Sequence, residues 1–265
     1  MLLTQHRQAC VGIVELIVRR VPKEAIQHIF GEAATFFRGL QGQAFSPREY
    51  VKLSPLSLRA DSHFTVMEAG TRGCLKWMAG PDATIHSKND DTPAGAELRE
   101  VFAQWCQTAL SIPIEDPDLK RKIITQVVSI TCKVLVKEEN VGFATLENIL
   151  RIRSRKEPAN QQYADSAKEL LDTCAYGAQK LATVFADQFL TIYDQLEQKI
   201  QEIVNVEGVD LQPRYAAFLV MIIHRTSNLN TAMRTEKLRR MIQPVKDAWE
   251  NPELVQAVSD YSSFC

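Results

Sequence analysis

Residues 165–203 read DSAKELLDTCAYGAQKLATVFADQFLTIYDQLEQKIQEI, and their apolar members fall at Leu171, Cys174, Ala178, Leu181 and Phe185, then at Phe189, Ile192, Leu196, Ile200 and Ile203. Charged and amide residues fill the intervals, which is the spacing of one apolar stripe along a helix. No capped turn is written inside the stretch, so two helices meeting near residues 184–187 or one bent helix both satisfy it. Beyond the turn Asn205-Val206-Glu207-Gly208 the same pattern returns at Tyr215, Phe218, Leu219, Ile222 and Ile223. A helix pair of this kind cannot bury its own apolar face. Stacked repeats solve the problem by covering each pair with its neighbours, which makes the expected fold all-α, an α-solenoid of HEAT- or armadillo-like repeats.

The rest of the chain repeats the signal. Upstream, Ala9, Cys10, Ile13, Val14, Leu16, Ile17 and Val21 outline a first amphipathic helix over residues 3–20. A second starts at Pro22, where a proline costs no hydrogen bond, and carries Ile26, Ile29, Phe30, Ala33, Phe36, Phe37 and Leu40. Ser46-Pro47-Arg48-Glu49 has the form of a capping box and predicts a short helix through Tyr50 and Leu53, ended or turned by Ser54-Pro55. A stripe over residues 64–78 predicts the next helix. The stretch GPDATIHSKNDDTPAG at residues 80–95 has loop composition and is expected to be exposed and mobile.

Val101, Phe102, Trp105, Cys106 and Ala109 mark a helix over residues 98–110 closed by Pro113. Asp116-Pro117-Asp118 writes a helix start with a cap, a first-turn proline and an acid at the positive end. The residues that follow, through Leu135, are rich in β-branched side chains but too long and too regular for one strand. Residues 143–152 continue the pattern, EPANQQ at 157–162 reads as a linker, Thr231 to Trp249 carries a further stripe from Met233 onward, and Asn251-Pro252-Glu253 restarts a helix through Leu254, Val255 and Val258. Ten or eleven helices pair into units of about 40 to 47 residues. With 11 glycines and no hairpin turn, a β fold is disfavoured.

With 265 residues, 45% of them apolar, the chain can bury a large core as one helical array over residues 1–265. A net charge of -1 gives no global preference for nucleic acid, so partner choice rests on where the charges sit. Six scattered cysteines without a CxxC pair read as reduced, mostly buried thiols. No signal peptide is written at the start, and no window approaches the roughly 20 apolar residues of a membrane span. The expectation is therefore a soluble chain. The array looks fragment-like, with no polar capping repeat at either end, so apolar faces are expected to be exposed there and to promote self-association.

Candidate chemistry is sparse. His6 and Cys10 share a helical face, but no second ligand pair follows, so no metal or cofactor is expected; the residues read as an exposed histidine and a core cysteine. No phosphate loop, GxSxG, HExxH or kinase signature is present. His224 reads as a helix-end residue near the negative dipole. Asp116 and Asp118 read as helix starts, and no enzyme is expected. The residues that attract attention are basic: Arg151, Arg153, Arg155 and Lys156 in RIRSRK, and Arg234, Lys237, Arg239 and Arg240 in RTEKLRR, with Lys246 beyond. A smaller cluster is Lys120, Arg121 and Lys122. Such runs are either solvated helix ends or contacts to an acidic partner, whether RNA backbone, phosphorylated protein or acidic protein surface.

Three strings carry a family resemblance: EDPDLKRKIITQVVSITCKVL from residue 115, AKELLDTCAYGAQKLATVFADQFLTIYDQLEQKIQEIV from residue 167, and LQPRYAAFLVMIIHRTSNLNTAMRTEKLRRMIQPVKDAWENPELVQAVSDYSSF from residue 211. Together, over residues 115–264, they resemble a middle segment of a nuclear transport receptor of the importin-β superfamily, of the exportin-5 type. The resemblance implies a carrier dependent on the GTP form of the GTPase Ran. It would take structured RNA such as microRNA precursors or tRNA, or phosphoprotein cargo, past nuclear pore proteins, and shuttle between nucleus and cytoplasm without inserting in a membrane. The basic residues above are read from charge, not from the resemblance. The competing reading is a helical-repeat scaffold with no Ran or RNA role.

Overall fold

A computed structural model describes residues 2–40, 45–79, 91–153, 160–207 and 211–252. Among them the regular structure is entirely helical. The helices are α1 (Leu2–Arg20), α2 (Pro22–Arg38), α3 (Pro55–Ala79), α4 (Pro93–Ser111), α5 (Pro117–Lys133), α6 (Glu139–Arg151), α7 (Gln161–Val184), α8 (Ala186–Leu190), α9 (Tyr193–Glu207), α10 (Gln212–Arg225) and α11 (Thr231–Trp249). They stack in two rows. In one row α1, α3, α5, α7 and α10 each pack on the next; in the other α2, α4, α6 and then α9 follow, and α11 packs on α10. This is the all-α solenoid that the apolar stripes require.

The starts are written as the sequence suggests. Proline occupies the first turn of α2, α4, α5 and α10 and opens α3, where its missing N–H deprives the helix of nothing. Side chains of Thr92, Asp116, Asn160 and Asn230 accept from the first-turn amides of α4, α5, α7 and α11. The β-branched segment after Asp116 is helical because it is buried almost all round. Its Ile123, Val127 and Ile130 pack into the N-terminal core around Phe30, Phe102 and Trp105, whereas Ile124 and Val128 pack into the C-terminal core around Phe185, Phe189 and Phe218. Helix α5 therefore joins two cores into one array.

The long stripe breaks at Phe185, whose backbone (φ -110, ψ 29) leaves the helix between α7 and α8. Its ring lies so close to Gly142 on α6 that a Cβ there would sit 3.0 Å from it. Past the break, the Asp187 carboxylate accepts from the Thr226 hydroxyl (2.5 Å) and from the Ser227 amide (2.7 Å) and hydroxyl (2.8 Å), tying α8 to the turn after α10. Those hydrogen bonds, that of Thr226 first, hold its pKa below the usual value.

Several expectations are corrected. Ser46 makes no side-chain cap, and the helix foreseen through Tyr50 and Leu53 is a single 3-10 turn, Pro47–Glu49. The segment instead runs along α7. Tyr50 packs edge-on against Tyr163 at 5.7 Å, its backbone carbonyl accepts from the Asn160 amide at 2.9 Å, and Lys52 pairs with Glu169 at 2.6 Å. Burial of the phenol pushes the Tyr50 pKa up to about 12. Leu53 reverses the chain at φ 60, and Ser54-Pro55 begins α3, with the Ser54 hydroxyl accepting from the Ser57 amide at 3.2 Å. Helix α3 consequently starts well before residue 64. Of the loop foreseen over 80–95, residues 93–95 already belong to α4, and 80–90 lie outside the described residues.

Because these connections are long, the first helices of successive pairs begin at residues 2, 55, 117, 161 and 212. The period therefore runs from 44 residues (117 to 161) to 62 (55 to 117), and not a uniform 40 to 47. In α1 the stripe is also misread. Val18 is buried and Val14 partly so, but Ile13, Leu16 and Ile17 are exposed, as is Cys10, which is not a core thiol. The face turned to α3 carries Glu15, paired with Arg72 (2.8 Å) and Lys76 (2.5 Å). The hydrogen bonds to Lys76 and Arg72 lower its pKa. The helix expected after Asn251 lies outside the described residues.

Candidate cargo interface

Of the two basic clusters, one closes α6 and the other runs along α11. Arg151 is the last residue of α6 and pairs with Glu147 one turn back at 2.6 Å, both side chains largely exposed. An exposed pair of this kind is worth up to about 1 kcal/mol, so Arg151 is readily surrendered to a stronger anion. Arg153 turns back on its helix. Its Nη1 donates to the carbonyls of Leu150 (2.7 Å) and Ile152 (2.9 Å), closing off the C-terminus of α6, where a cation also meets the negative end of the helix dipole. Arg155 and Lys156 lie outside the described residues.

On α11 the basic residues divide in the same way. The Arg234 guanidinium donates to the carbonyls of Ile223, His224, Thr226 and Leu229, satisfying the open end of α10 and the turn beyond it. Lys237 lies 4.5 Å over the ring of Tyr193, a cation–π contact. The same tyrosine donates from its hydroxyl to the Met241 sulfur at 3.3 Å, and burial first, then the nearby Glu197 and Asp194, raises its pKa. Arg239 pairs with Glu236 at 3.2 Å, with both side chains about two-thirds exposed, and Arg240 is exposed. Thus Arg151, Arg239 and Arg240 face solvent, whereas Arg153, Arg234 and Lys237 are engaged with their own fold.

The third cluster separates. Asp118, 1% exposed, accepts from Ser57 Oγ (2.9 Å) and Arg121 Nη2 (2.6 Å) and lies 3.2 Å from Lys122 Nζ. Lys122 also pairs with Asp61 at 2.7 Å, and Arg121 approaches Glu169 at 3.7 Å. Burial alone would raise the Asp118 pKa; the hydrogen bonds from Arg121 and Ser57 and the charge of Lys122 outweigh it and hold the pKa below the usual value. Asp116, by contrast, is raised by burial against the amide bonds of its cap. Lys120 goes elsewhere, lining a cleft of about 250 Å³ with Arg151 and Arg153. Adjacency in sequence groups Lys120 with the wrong residues. The signal that separates it is the three- and four-residue spacing from Asp118 to Arg121 and Lys122, which pairs them on one helix face and leaves Lys120 out.

No group of three His, Cys, Asp or Glu side chains among the described residues could hold a metal. His224 is exposed in the last turn of α10, and Cys106 and Cys174 are buried thiols whose pKa values burial pushes up to about 12. No helix among the described residues is long and apolar enough to cross a membrane. The exposed cations of this surface, Arg151, Arg239 and Arg240, can attract anions.

Comparison with known proteins agrees with the architecture and adds to it. The model of the Exportin-5 family matches residues 3–265. An uncharacterized protein of Schizosaccharomyces pombe is 25% identical over 253 residues, a match covering 92% of this chain and 20% of that protein. The chain thus spans about a fifth of the length of the curated relative it matches.

Proposed function

The chain belongs to the Exportin-5 family, and from that premise we propose that it is a segment of a nuclear export receptor, a RanGTP-dependent carrier of structured RNA, such as microRNA precursors or tRNA, and of protein cargo. The family is one of transport receptors, not enzymes, and its membership points to passage between nucleus and cytoplasm. The match across nearly the whole chain is the observation that carries the proposal. In this reading the segment performs no turnover, makes no membrane insertion, and meets nuclear pore proteins as the carrier crosses the pore.

RNA is the cargo that the exposed cations favour. Arg151, Arg239 and Arg240, with Arg155 and Lys156 close to Arg151 in sequence, would meet phosphates directly. Arg153, Arg234 and Lys237 would hold the helix ends that present them. Phosphate contacts position a ligand without reading its bases, which suits cargo recognised by shape. RanGTP is expected to add little to RNA binding by this segment alone, since one ligand promotes another only through differential contacts.

The test is cellular and uses the full gene product. Replacing Arg151, Arg155, Lys156, Arg239 and Arg240 by alanine is expected to raise the nuclear fraction of a structured small RNA, with the abundance of the protein unchanged. An unaltered nuclear fraction would remove these residues from cargo handling.

A further inference from the structure

The cleft that collects Lys120, Arg151 and Arg153 differs from two other grooves among the described residues. It opens where α4 ends, α5 begins and α6 ends, and among the described residues no acidic or aromatic side chain lines it. The groove between α2 and α4 carries Glu32, and that between α1 and α3 carries Asp61. The floor is aliphatic, formed by Ile112, Ile114, Ile123, Ile124 and Ile152.

We propose that this cleft docks an extended acidic peptide, seating a carboxylate among Lys120, Arg151 and Arg153 and a neighbouring aliphatic side chain on the isoleucine floor. Charge favours it. Lys120 is half-buried and has no ion pair among the described residues, and the exposed partner of Arg151, Glu147, is not part of the lining. Arg153 commits only Nη1 to its helix, so its Nη2 and Nε are left for a ligand on a guanidinium already oriented. A carboxylate held by two guanidinium groups and an ammonium gains charge-assisted hydrogen bonds, about twice as strong as neutral ones.

Size and lining argue against nucleic acid in this place. A volume of about 250 Å³ is below the roughly 300–1,000 Å³ of sites that enclose a drug-sized ligand, so it suits side chains and not a nucleotide. Recognition of unpaired bases relies on stacking against aromatic faces, and the described lining offers none. The inference does not depend on the carrier reading. The two readings share Arg151, which is largely exposed and also lines the cleft, but Lys120 belongs to the cleft alone and Arg239 and Arg240 to the outer surface alone, so either result can fail without the other.

The experiment is fluorescence polarisation with the whole chain and a fluorescein-labelled peptide of glutamate, leucine and serine. Lys120→Glu and Arg151→Gln are each expected to weaken binding about tenfold, as removal of a close charge partner does. Their melting temperatures should stay at the wild-type value, because neither side chain holds the fold together. Replacing the peptide's glutamates by glutamine, or its leucines by serine, is expected to weaken binding comparably, and Arg239→Gln/Arg240→Gln to leave it unchanged. Should Lys120→Glu fail to fold, Lys120→Gln with Arg151→Gln takes its place. Wild-type affinity in the cleft variants, or equal binding of the glutamine peptide, overturns the proposal. A single-stranded RNA oligonucleotide that displaces the peptide and loses its own affinity in the Lys120 variant also overturns it, since the cleft would then serve nucleic acid.

Discussion

Replacing Asp118 by alanine removes the acceptor at the centre of the buried network between α3 and α5. The carboxylate is 1% exposed and holds Ser57, Arg121 and Lys122. Truncating one partner of a buried pair costs about 3–5 kcal/mol, because the opposite charge is left without compensation. Here both cations keep another carboxylate, Lys122 at 2.7 Å from Asp61 and Arg121 at 3.7 Å from Glu169, so the cost falls near about 3 kcal/mol. For a chain of this size that is a fall in melting temperature of about 5 to 9 °C. Asp118→Asn keeps an acceptor for Ser57 and should lose less.

The dependence on pH distinguishes charge from packing. The folded-state pKa of Asp118 is lowered, so the stability it contributes is fully present above the unfolded value, about 3.9, and is lost as pH falls through the folded value. The gap in melting temperature between wild type and Asp118→Asn, followed by circular dichroism, should be constant from neutral pH down to about pH 5 and shrink below about pH 4. A change of under about 1 °C for Asp118→Ala, or a gap that persists at low pH, would refute the account of a buried charge pair.

Other perturbations follow from single contacts. Gly73→Ala places a Cβ 2.9 Å from the Glu15 carbonyl oxygen and 3.0 Å from Val18, so overpacking should destabilise the α1–α3 contact by about 1–3 kcal/mol, read in urea unfolding as a lower midpoint despite the better helix former. Asn160→Ala removes the cap of α7 together with the bond to the Tyr50 carbonyl, at about 1–2 kcal/mol, and should raise the protease sensitivity of the segment around Tyr50 before that of the core. Ile13, Leu16 and Ile17 are exposed together on α1, a patch of the kind that drives association; changing all three to lysine should lower the apparent mass in concentrated light scattering, and an unchanged mass would clear that face.

The helices were legible because burial imposes period and the starts carry explicit chemistry: Pro22, Asp116-Pro117 and the stripe of α7 each require the structure they adopt. The connection after α2 was not. Ser46-Pro47-Arg48-Glu49 has the letters of a capping box, but Tyr50 finds Tyr163 and Asn160 more than a hundred positions away, and no local pattern encodes that contact. Likewise α1 is apolar on two sides, and only its packing on α3 shows that Val18 and Glu15 face inward while Leu16 does not. Charge runs were legible as clusters but not as roles. Arg234 and Arg153 lie within the basic strings, yet their donors serve carbonyls at helix ends, a use decided by where the chain turns next.

The most direct measurement of the central claim is filter binding of a structured RNA hairpin to the chain across a salt series, for wild type and for Arg151→Ala/Arg239→Ala/Arg240→Ala. If these side chains meet phosphates, affinity falls steeply with salt, shows little sequence preference, and the log–log slope flattens in the variant by about 0.7 to 0.9 for each phosphate no longer neutralised. Identical slopes for the two proteins would contradict the account, returning the three arginines to solvated helix ends and leaving the scaffold reading in place of an RNA-handling one.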